Sequence, residues 1–186
     1  MKKLLFLILA ISLLTSCNDK KTEKTQVEIE LKTELKSEKV DTTVVYWQTN
    51  FDTIKKTQEI YIGNDKHELE LKTYSLNDSS IVKTSENYKE IYHDNVTEII
   101  IKKGKELILK SLVKKSTFKD SLDGDFLKYS VLRSVEYDNI RSNRLYFKAD
   151  IDVPDTDWAF GVDFAVFYQT DKKGQIDFWN VKEIGL

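Results

Sequence analysis

The clearest structural signal in the chain is the segment WAFGVDFAVFYQ, residues 158–169. Its even-numbered positions carry large apolar side chains: Trp158, Phe160, Val162, Phe164, Val166 and Tyr168. The positions between them are mostly small or polar. A period of two predicts a β-strand with one strongly apolar face. The turn sequence Asp171-Lys172-Lys173-Gly174 follows, and residues 175–181 again read as a strand, so the chain is predicted to end in a β-hairpin.

The same alternation continues upstream of this hairpin. In RLYFKADIDVP, residues 144–154, every second residue from Leu145 to Val153 is apolar, and Pro154 ends the run. EIIIKKGKELIL, residues 98–109, reads as two strands around a Lys-Gly turn, and HELELKTY, residues 67–74, directs Leu69 and Leu71 inward. These segments predict about nine or ten short strands joined by hairpins.

One segment departs from the β pattern. Residues 118–129 space their apolar residues as a helix does, although Gly124 lies in the middle, and a strand is expected near 131–139. Within this segment LDGD, residues 122–125, is interpreted as a turn or helix cap. The predicted fold is mainly β and antiparallel, with one short helix near 118–129. Its apolar face must be covered, either in a two-layer sandwich or in a partly closed barrel, and the sequence leaves both open.

The N-terminus has the parts of a bacterial export signal. Lys2 and Lys3 precede an apolar run from Leu4 to Leu14, which as a helix spans about 16 Å. That is short of the roughly 30 Å of a bilayer core and typical of a signal peptide. The run ends in Leu14-Thr15-Ser16-Cys17, and Cys17 is the single cysteine.

This ending resembles the lipobox of bacterial lipoproteins, although Thr15 stands where Ala or Ser is commoner. The resemblance implies that the leader is cut before Cys17, and that the Cys17 sulfur and the new N-terminus carry fatty acyl chains. It implies a location in the bacterial cell envelope, anchored to a membrane through Cys17, with the outer membrane favoured in a Gram-negative cell. Several acyl chains hold a protein firmly, whereas one holds it marginally.

Three regions follow from these observations. Residues 1–16 are the predicted lipoprotein signal peptide, residues 17–40 the lipidated cysteine and a charged tether, and residues 41–186 a single antiparallel β-domain. The tether is rich in Lys and Glu and has no aromatic residue. This composition is typical of flexible segments. With Cys17 acylated, the β-domain has no thiol for a disulfide or a cysteine-based site.

The charge balance argues against a nucleic-acid partner. The formal net charge is −2, and removal of the leader takes away two lysines and no acid. The chain thus lacks the positive excess that drives binding to phosphate backbones.

The sequence offers one weak candidate for a metal site. DIDVPDTD, residues 150–157, places four carboxylates close together, those of Asp150, Asp152, Asp155 and Asp157. Calcium prefers such oxygen ligands, but the spacing is not that of an EF-hand. A charged outer face followed by a turn explains the same residues, so we expect no metal. The two histidines, His67 and His93, lack a paired zinc spacing.

No motif indicates an enzyme or a cofactor. The chain has no G-x-S-x-G elbow and no glycine-rich phosphate loop, and its six glycines are scattered. We therefore expect no cofactor and a non-catalytic protein. A hydrolase built on Asp150 or Asp157 is a weaker alternative.

Several aromatic residues fall on the polar sides of their predicted strands. These are Tyr46, Tyr61, Tyr74, Tyr146 and Trp179. An exposed row of them would suit recognition of a glycan or a protein, while packing of a second layer explains them equally. The whole pattern resembles the small single-domain lipoproteins of bacterial envelopes, many of which have no assigned function. The predicted function is a lipid-anchored, non-catalytic binding module, with a carrier of a small apolar ligand in a β-barrel as the alternative.

Overall fold

The computed structural model describes residues 42–47 and 53–185. The predicted leader, Cys17 and the tether lie outside the described residues. The described part forms eleven β-strands, one 3₁₀ helix and one α-helix. The strands are β1 (Thr43–Tyr46), β2 (Ile54–Ile62), β3 (Asp65–Ser75), β4 (Ile81–Ser85), β5 (Tyr88–Tyr92), β6 (Asn95–Lys103), β7 (Glu106–Val113), β8 (Val131–Arg141), β9 (Arg144–Asp152), β10 (Ala159–Phe167) and β11 (Ile176–Glu183).

The strands make three sheets. The front sheet has the order β2-β3-β6-β7, the back sheet the order β11-β10-β9-β8, and the small sheet the order β1-β5-β4. The front and back sheets are antiparallel throughout, as the sequence predicts. In the small sheet β1 pairs parallel with β5. Pairing of consecutive strands in hairpins does not predict this pair, because three other strands separate β1 from β5 along the chain.

The front and back sheets enclose one hydrophobic core. Leu69, Leu71 and Ile99 contribute from the front sheet. The back sheet supplies the alternating residues of β9 and β10, which are Leu145, Phe147, Ala149, Ile151, Val162, Phe164 and Val166. The rings of Phe147 and Phe164 stack with centroids 5.2 Å apart. The fold is thus mainly β and a filled two-layer sandwich, and the sheets do not close onto one another.

The predicted helix is divided in two. A 3₁₀ helix spans Lys115–Ser121, and α1 spans Gly124–Tyr129. The break lies at Asp123, whose side chain accepts hydrogen bonds from the backbone N–H groups of Asp125 (2.8 Å) and Phe126 (3.3 Å). Asp123 thereby starts a new helix, which is the capping role predicted for LDGD. Each helix contributes one fully buried ring to the core, Phe118 and Phe126.

The predicted C-terminal hairpin is present. β10 and β11 pair antiparallel, and Gly174 closes the turn between them with a φ of 85°, a conformation that favours glycine. In the described part of the chain, neither helix has the length and hydropathy needed to cross a bilayer.

Candidate functional site

The outer face of the back sheet carries a pair of aromatic side chains. Strand alternation directs Tyr146 of β9 and Trp179 of β11 away from the core. Their rings meet across the intervening strand β10, with centroids 5.7 Å apart and planes at 71°. Ala165 of β10, opposite Tyr146 in the ladder, is fully buried although it faces outward. We call Tyr146, Trp179 and Ala165 the aromatic platform.

The platform is accessible and sits beside a cation. Trp179 is 40% exposed, while Tyr146 is half-buried. The guanidinium of Arg141 lies 4.7 Å from the ring centroid of Tyr146, a cation–π distance. This contact and the edge-on contact with Trp179 hold Tyr146 in place. The exposed part of the Trp179 side chain is left available to a ligand.

Polar groups of both signs surround the platform. Asn180 Nδ2 donates a hydrogen bond of 2.5 Å to Asp163 Oδ2. Arg144 Nη1 lies 3.3 Å from Asp177 Oδ2, and its guanidinium covers the ring of Phe167 at 4.2 Å. The rim of the platform thus offers carboxylate, amide and guanidinium groups, and Asp163 lies directly opposite Trp179 in the β10–β11 ladder.

A β-bulge sets this arrangement. The β10–β11 ladder shifts register between Gly161 and Asp163, which leaves one extra residue on β11. Asn180 in the bulge has a φ of 52°, a left-handed conformation that asparagine tolerates better than most residues. In a regular strand Trp179 and Asn180 would point to opposite faces. Here Trp179 contacts Tyr146 and Asn180 contacts Asp163, so both side chains lie on the outer face.

The other predicted aromatic residues lie elsewhere. Tyr46 is on β1, Tyr61 on β2 and Tyr74 on β3, so the five residues are distributed over three sheets. Tyr46 and Tyr61 are exposed, and Tyr74 is half-buried with its hydroxyl 3.2 Å from Glu98. The structure brings Tyr146 and Trp179 together and separates the rest. Asn180 and Arg141 belong to no sequence motif, so the sequence alone does not indicate them for this site.

The structure gives the four aspartates of DIDVPDTD separate surroundings. Asp150 accepts a hydrogen bond from Ser134 Oγ at 2.9 Å. Asp152 is paired with Arg133, and Asp155 accepts from the Tyr92 hydroxyl at 2.5 Å. Asp157 is exposed. Among residues 42–47 and 53–185, no three His, Cys, Asp or Glu side chains are placed to hold one metal ion together.

The two histidines are engaged separately with the backbone. His67 Nδ1 lies 2.9 Å from the carbonyl oxygen of Asp65, and His93 Nδ1 accepts from the N–H of Ser79 at 2.9 Å. His67 lies near the start of β3, and His93 lies between β5 and β6. The contact of His67 is local, whereas His93 holds the loop after β3 against the β5–β6 connection.

A second aromatic pair, Trp47 and Tyr92, lies on the small sheet and contacts the loop after β9 through Asp155. The ring of Trp47 stacks on that of Tyr92 with centroids 5.6 Å apart, and Trp47 Nε1 donates to Glu90 at 3.1 Å. Burial, together with the hydrogen bond to Asp155, raises the pKa of the Tyr92 hydroxyl. Tyr92 is itself buried against Ile81 and Val131. Tyr92 therefore joins the small sheet to β8 and to the loop after β9.

Asp94, two residues after Tyr92, forms a buried ion pair with Lys115. The Asp94 carboxylate accepts from the backbone N–H groups of Asn95 (2.8 Å) and Leu132 (3.1 Å), and Lys115 Nζ lies 4.0 Å from it. Burial raises the pKa of Asp94 and lowers that of Lys115. Lys115 also donates to the carbonyl oxygen of Ser130 at 2.6 Å. These bonds tie β6, the 3₁₀ helix and β8 together.

An open groove separates the edge strands β2 and β8. It holds about 250 Å³ and is lined by Ile54, Lys56, Leu71, Thr73, Arg133 and Ser134. Lys56 Nζ lies 3.1 Å from Glu136 across the groove, and both side chains are well exposed. Such exposed pairs contribute little to stability. The groove is an open side of the sandwich and is distinct from the aromatic platform.

Comparison with known proteins gives one family. The family model described as "Domain of unknown function (DUF4738)" matches residues 20–176. The match contains Tyr146, Asp163 and Ala165, whereas Trp179 and Asn180 follow its last residue. No curated protein matches the chain.

Proposed function

The chain belongs to the DUF4738 family, and we propose that it is a lipid-anchored protein of the bacterial cell envelope whose β-domain is a non-catalytic, glycan-binding module. The observation that carries the binding half is the contact of Tyr146 with the exposed Trp179 on the outer face of the back sheet. The anchor rests on the resemblance of Leu14-Thr15-Ser16-Cys17 to a lipobox.

The platform has the chemistry that a sugar ring requires. Indole and phenol rings offer flat apolar faces with a negative quadrupole, against which the C–H faces of a pyranose pack. The hydroxyl and amide groups at the edge of such a ring need partners of both hydrogen-bonding kinds. Asp163 accepts, Asn180 donates and accepts, and Arg141 donates. Asp163 lies opposite Trp179 in the β10–β11 ladder, Asn180 is the chain neighbour of Trp179, and Arg141 lies over the Tyr146 ring, so these groups border the platform.

A glycan suits this surface better than a protein does. A stable protein interface buries about 800 Å² on each partner around a largely uncharged core. Here the rim charges Arg141, Arg144, Asp163 and Asp177 lie close to the two rings, so the apolar area is small.

The filled core supports a surface site over an internal one. A carrier of a small apolar ligand needs a cavity of roughly 300–1,000 Å³. The space between the front and back sheets instead holds the fully buried rings of Phe118, Phe126, Phe147 and Phe164. The aromatic platform therefore remains the better candidate for a binding site.

Binding is tested with the full-length protein in detergent micelles. We expect isothermal titration calorimetry to detect soluble N-acetylglucosamine oligomers or glucan oligomers. Trp179→Ala should weaken this binding by tenfold or more, because the indole supplies most of the exposed apolar surface against which a sugar ring packs. Trp47→Ala is the matched control, since Trp47 directly follows β1 of the small sheet and is exposed to 44%. Equal affinity of Trp179→Ala and wild type, or no heat with either oligomer class, contradicts the glycan-binding proposal.

The anchor is tested independently. In cells fed labelled palmitate, the wild-type chain should sediment with the membrane fraction and carry the label, because acyl chains on Cys17 partition into lipid. Cys17→Ser should lose the label and leave the membrane fraction. Label retained by Cys17→Ser would refute lipidation at this residue and would leave the glycan-binding test unaffected.

A further inference from the structure

β2 is the one regular edge among the outer strands of the two larger sheets in the described part of the chain. Those outer strands are β2, β7, β8 and β11. The ladders that hold β7, β8 and β11 each contain a register shift, which blunts an edge against further pairing. The β2–β3 ladder runs without a shift from Ile54 to Ile62. Its first six residues are exposed, including Ile54 at 51%.

The sequence of this edge is complementary to itself. Written from Ile54 to Ile60 it reads IKKTQEI. In an antiparallel pair of two copies centred on Thr57, Lys55 of each copy lies opposite Glu59 of the other. Lys56 lies opposite Gln58, Ile54 opposite Ile60, and Thr57 opposite itself. Opposite charges, paired threonines and paired β-branched residues are the cross-strand combinations that stabilise antiparallel sheets.

Two like-charge pairs lie on this edge within one copy. On the outer face of the front sheet, Lys55 lies directly opposite Lys72, and Glu59 lies opposite Glu68. Like charges in directly opposed positions destabilise a sheet. A second copy paired through β2 would place its Glu59 beside Lys55 and its Lys55 beside Glu59. Lys55 would then gain a partner of opposite sign, and Glu59, already paired with Lys66 at 2.5 Å within one copy, would gain a second.

We propose that the protein forms a two-fold symmetric dimer through antiparallel pairing of β2 with β2 of a second copy, centred on Thr57. The two front sheets then become one eight-stranded sheet, and the contact is isologous, as closed dimers require. Lys56 faces the inner side of this edge, like Leu71 opposite it. An inward lysine disfavours an unrelated apolar strand, whereas a second copy presents Gln58 there.

Cross-linking tests the register of the pairing. Residues opposed in an antiparallel ladder have Cα atoms about 4.5–5.5 Å apart, which a disulfide can span. Thr57→Cys in the full-length chain should therefore give a disulfide-linked dimer on non-reducing gels of intact cells. Leu107→Cys, exposed on the outer strand β7, and the parent chain with Cys17 alone are the controls. Cross-linking of Thr57→Cys no greater than in these controls overturns the proposal.

Charge exchange tests the pairing without a thiol. In analytical ultracentrifugation of the full-length protein in detergent, Lys55→Glu and Glu59→Lys should each weaken dimerisation by about tenfold, since two pairs become repulsive. The double variant should restore it, because the opposed charges are complementary again. Within one copy Lys55→Glu removes the repulsion from Lys72, so an effect confined to the monomer predicts a more stable chain. A monomeric wild type at tens of micromolar, or a double variant no better than the singles, overturns the proposal.

Discussion

Arg133 holds the carboxylate of Asp152 with two N–H groups: Nε donates to Oδ1 at 2.8 Å, and Nη2 donates to Oδ2. The two partners differ in their surroundings, because Asp152 is 2% exposed while the Arg133 side chain is 57% exposed. A register shift between Leu132 and Ser134 places Arg133 in position to reach across to β9. The pair therefore consists of a buried anion and a cation that water can solvate.

Removing the two partners should have unequal effects. Arg133→Met leaves a buried, uncompensated carboxylate, and we expect it to lower the free energy of unfolding by about 3 kcal/mol. Asp152→Asn leaves an arginine that water solvates, so its cost should be only about 1 kcal/mol. Urea unfolding followed by circular dichroism measures both. The double variant should recover most of the loss from Arg133→Met, and equal costs for the two single variants would contradict the asymmetry.

As the N-cap of α1, Asp123 should contribute about 1 kcal/mol to the free energy of unfolding. Asp123→Ala removes the acceptor of the Asp125 and Phe126 N–H groups, which are otherwise without an intrahelical partner. Asp123→Asn keeps an acceptor and should be nearly neutral. Asp125→Ala is the matched control, because Asp125 lies two residues after Asp123 and its side chain is exposed. A similar drop in urea midpoint for Asp123→Ala and Asp125→Ala would rule out a specific capping effect.

The sequence predicts the parts of the fold that depend on periodicity within one segment. Every second residue from Leu145 to Val153 is buried, as the alternation requires, and the turns at Gly104 and Gly174 have positive φ. The parallel β1–β5 pair was not predictable in this way, because its partners are far apart in the chain. Likewise Asp123 ends one helix and starts another, where the spacing of apolar residues suggested a single helix over 118–129.

The candidate site is less predictable than the core, because it also depends on contacts between segments that are distant in the chain. Alternation places Tyr146 on an outer face correctly, but a bulge depends on how two strands register with each other. The bulge brings Asn180 to the same face as Trp179, which simple alternation along β11 forbids. The partners of Asp152 and Asp155 come from β8 and β5, and no local pattern around residues 150–157 indicates them.

Glu98 should make stability depend on pH in the acid range. It accepts from Lys110 Nζ at 3.0 Å and from the Tyr74 hydroxyl, and the hydrogen bond with Lys110 lowers the pKa of Glu98 below its ordinary value of 4.5. The unfolded chain therefore takes up this proton first as the pH falls. The stabilising contribution of Glu98 is complete above pH 4.5 and is lost as the pH falls through the lower folded-state pKa.

Glu98→Gln removes this titration. At pH 7 the variant should be less stable than wild type by up to about 1 kcal/mol, and the difference should shrink as the pH is lowered to 3. Urea midpoints measured at both pH values test this. Glu106→Gln, at an exposed position at the start of β7, is the control. A difference between wild type and Glu98→Gln that is the same at pH 7 and pH 3 would show that the charge of Glu98 does not contribute.

The backbone conformation of Asn180 should affect ligand binding. Glycine adopts its φ of 52° readily, whereas a β-branched residue does so only at a cost in free energy. Asn180→Gly keeps the bulge and loses the hydrogen bond to Asp163, so stability should change by less than about 1 kcal/mol. Asn180→Val should cost about 1–2 kcal/mol, because valine must adopt a left-handed conformation or remove the bulge.

The two variants separate the backbone of the bulge from the side chain of Asn180. If the bulge orients Trp179, Asn180→Val should weaken oligosaccharide binding more than Asn180→Gly does, measured by calorimetry under the same conditions. Val181→Ala is a useful control for stability alone, since Val181 packs against the core and not on the platform. It should lower the urea midpoint while leaving affinity near that of wild type. If Val181→Ala and Asn180→Val weaken binding equally, then loss of stability, and not the orientation of Trp179, explains the effect.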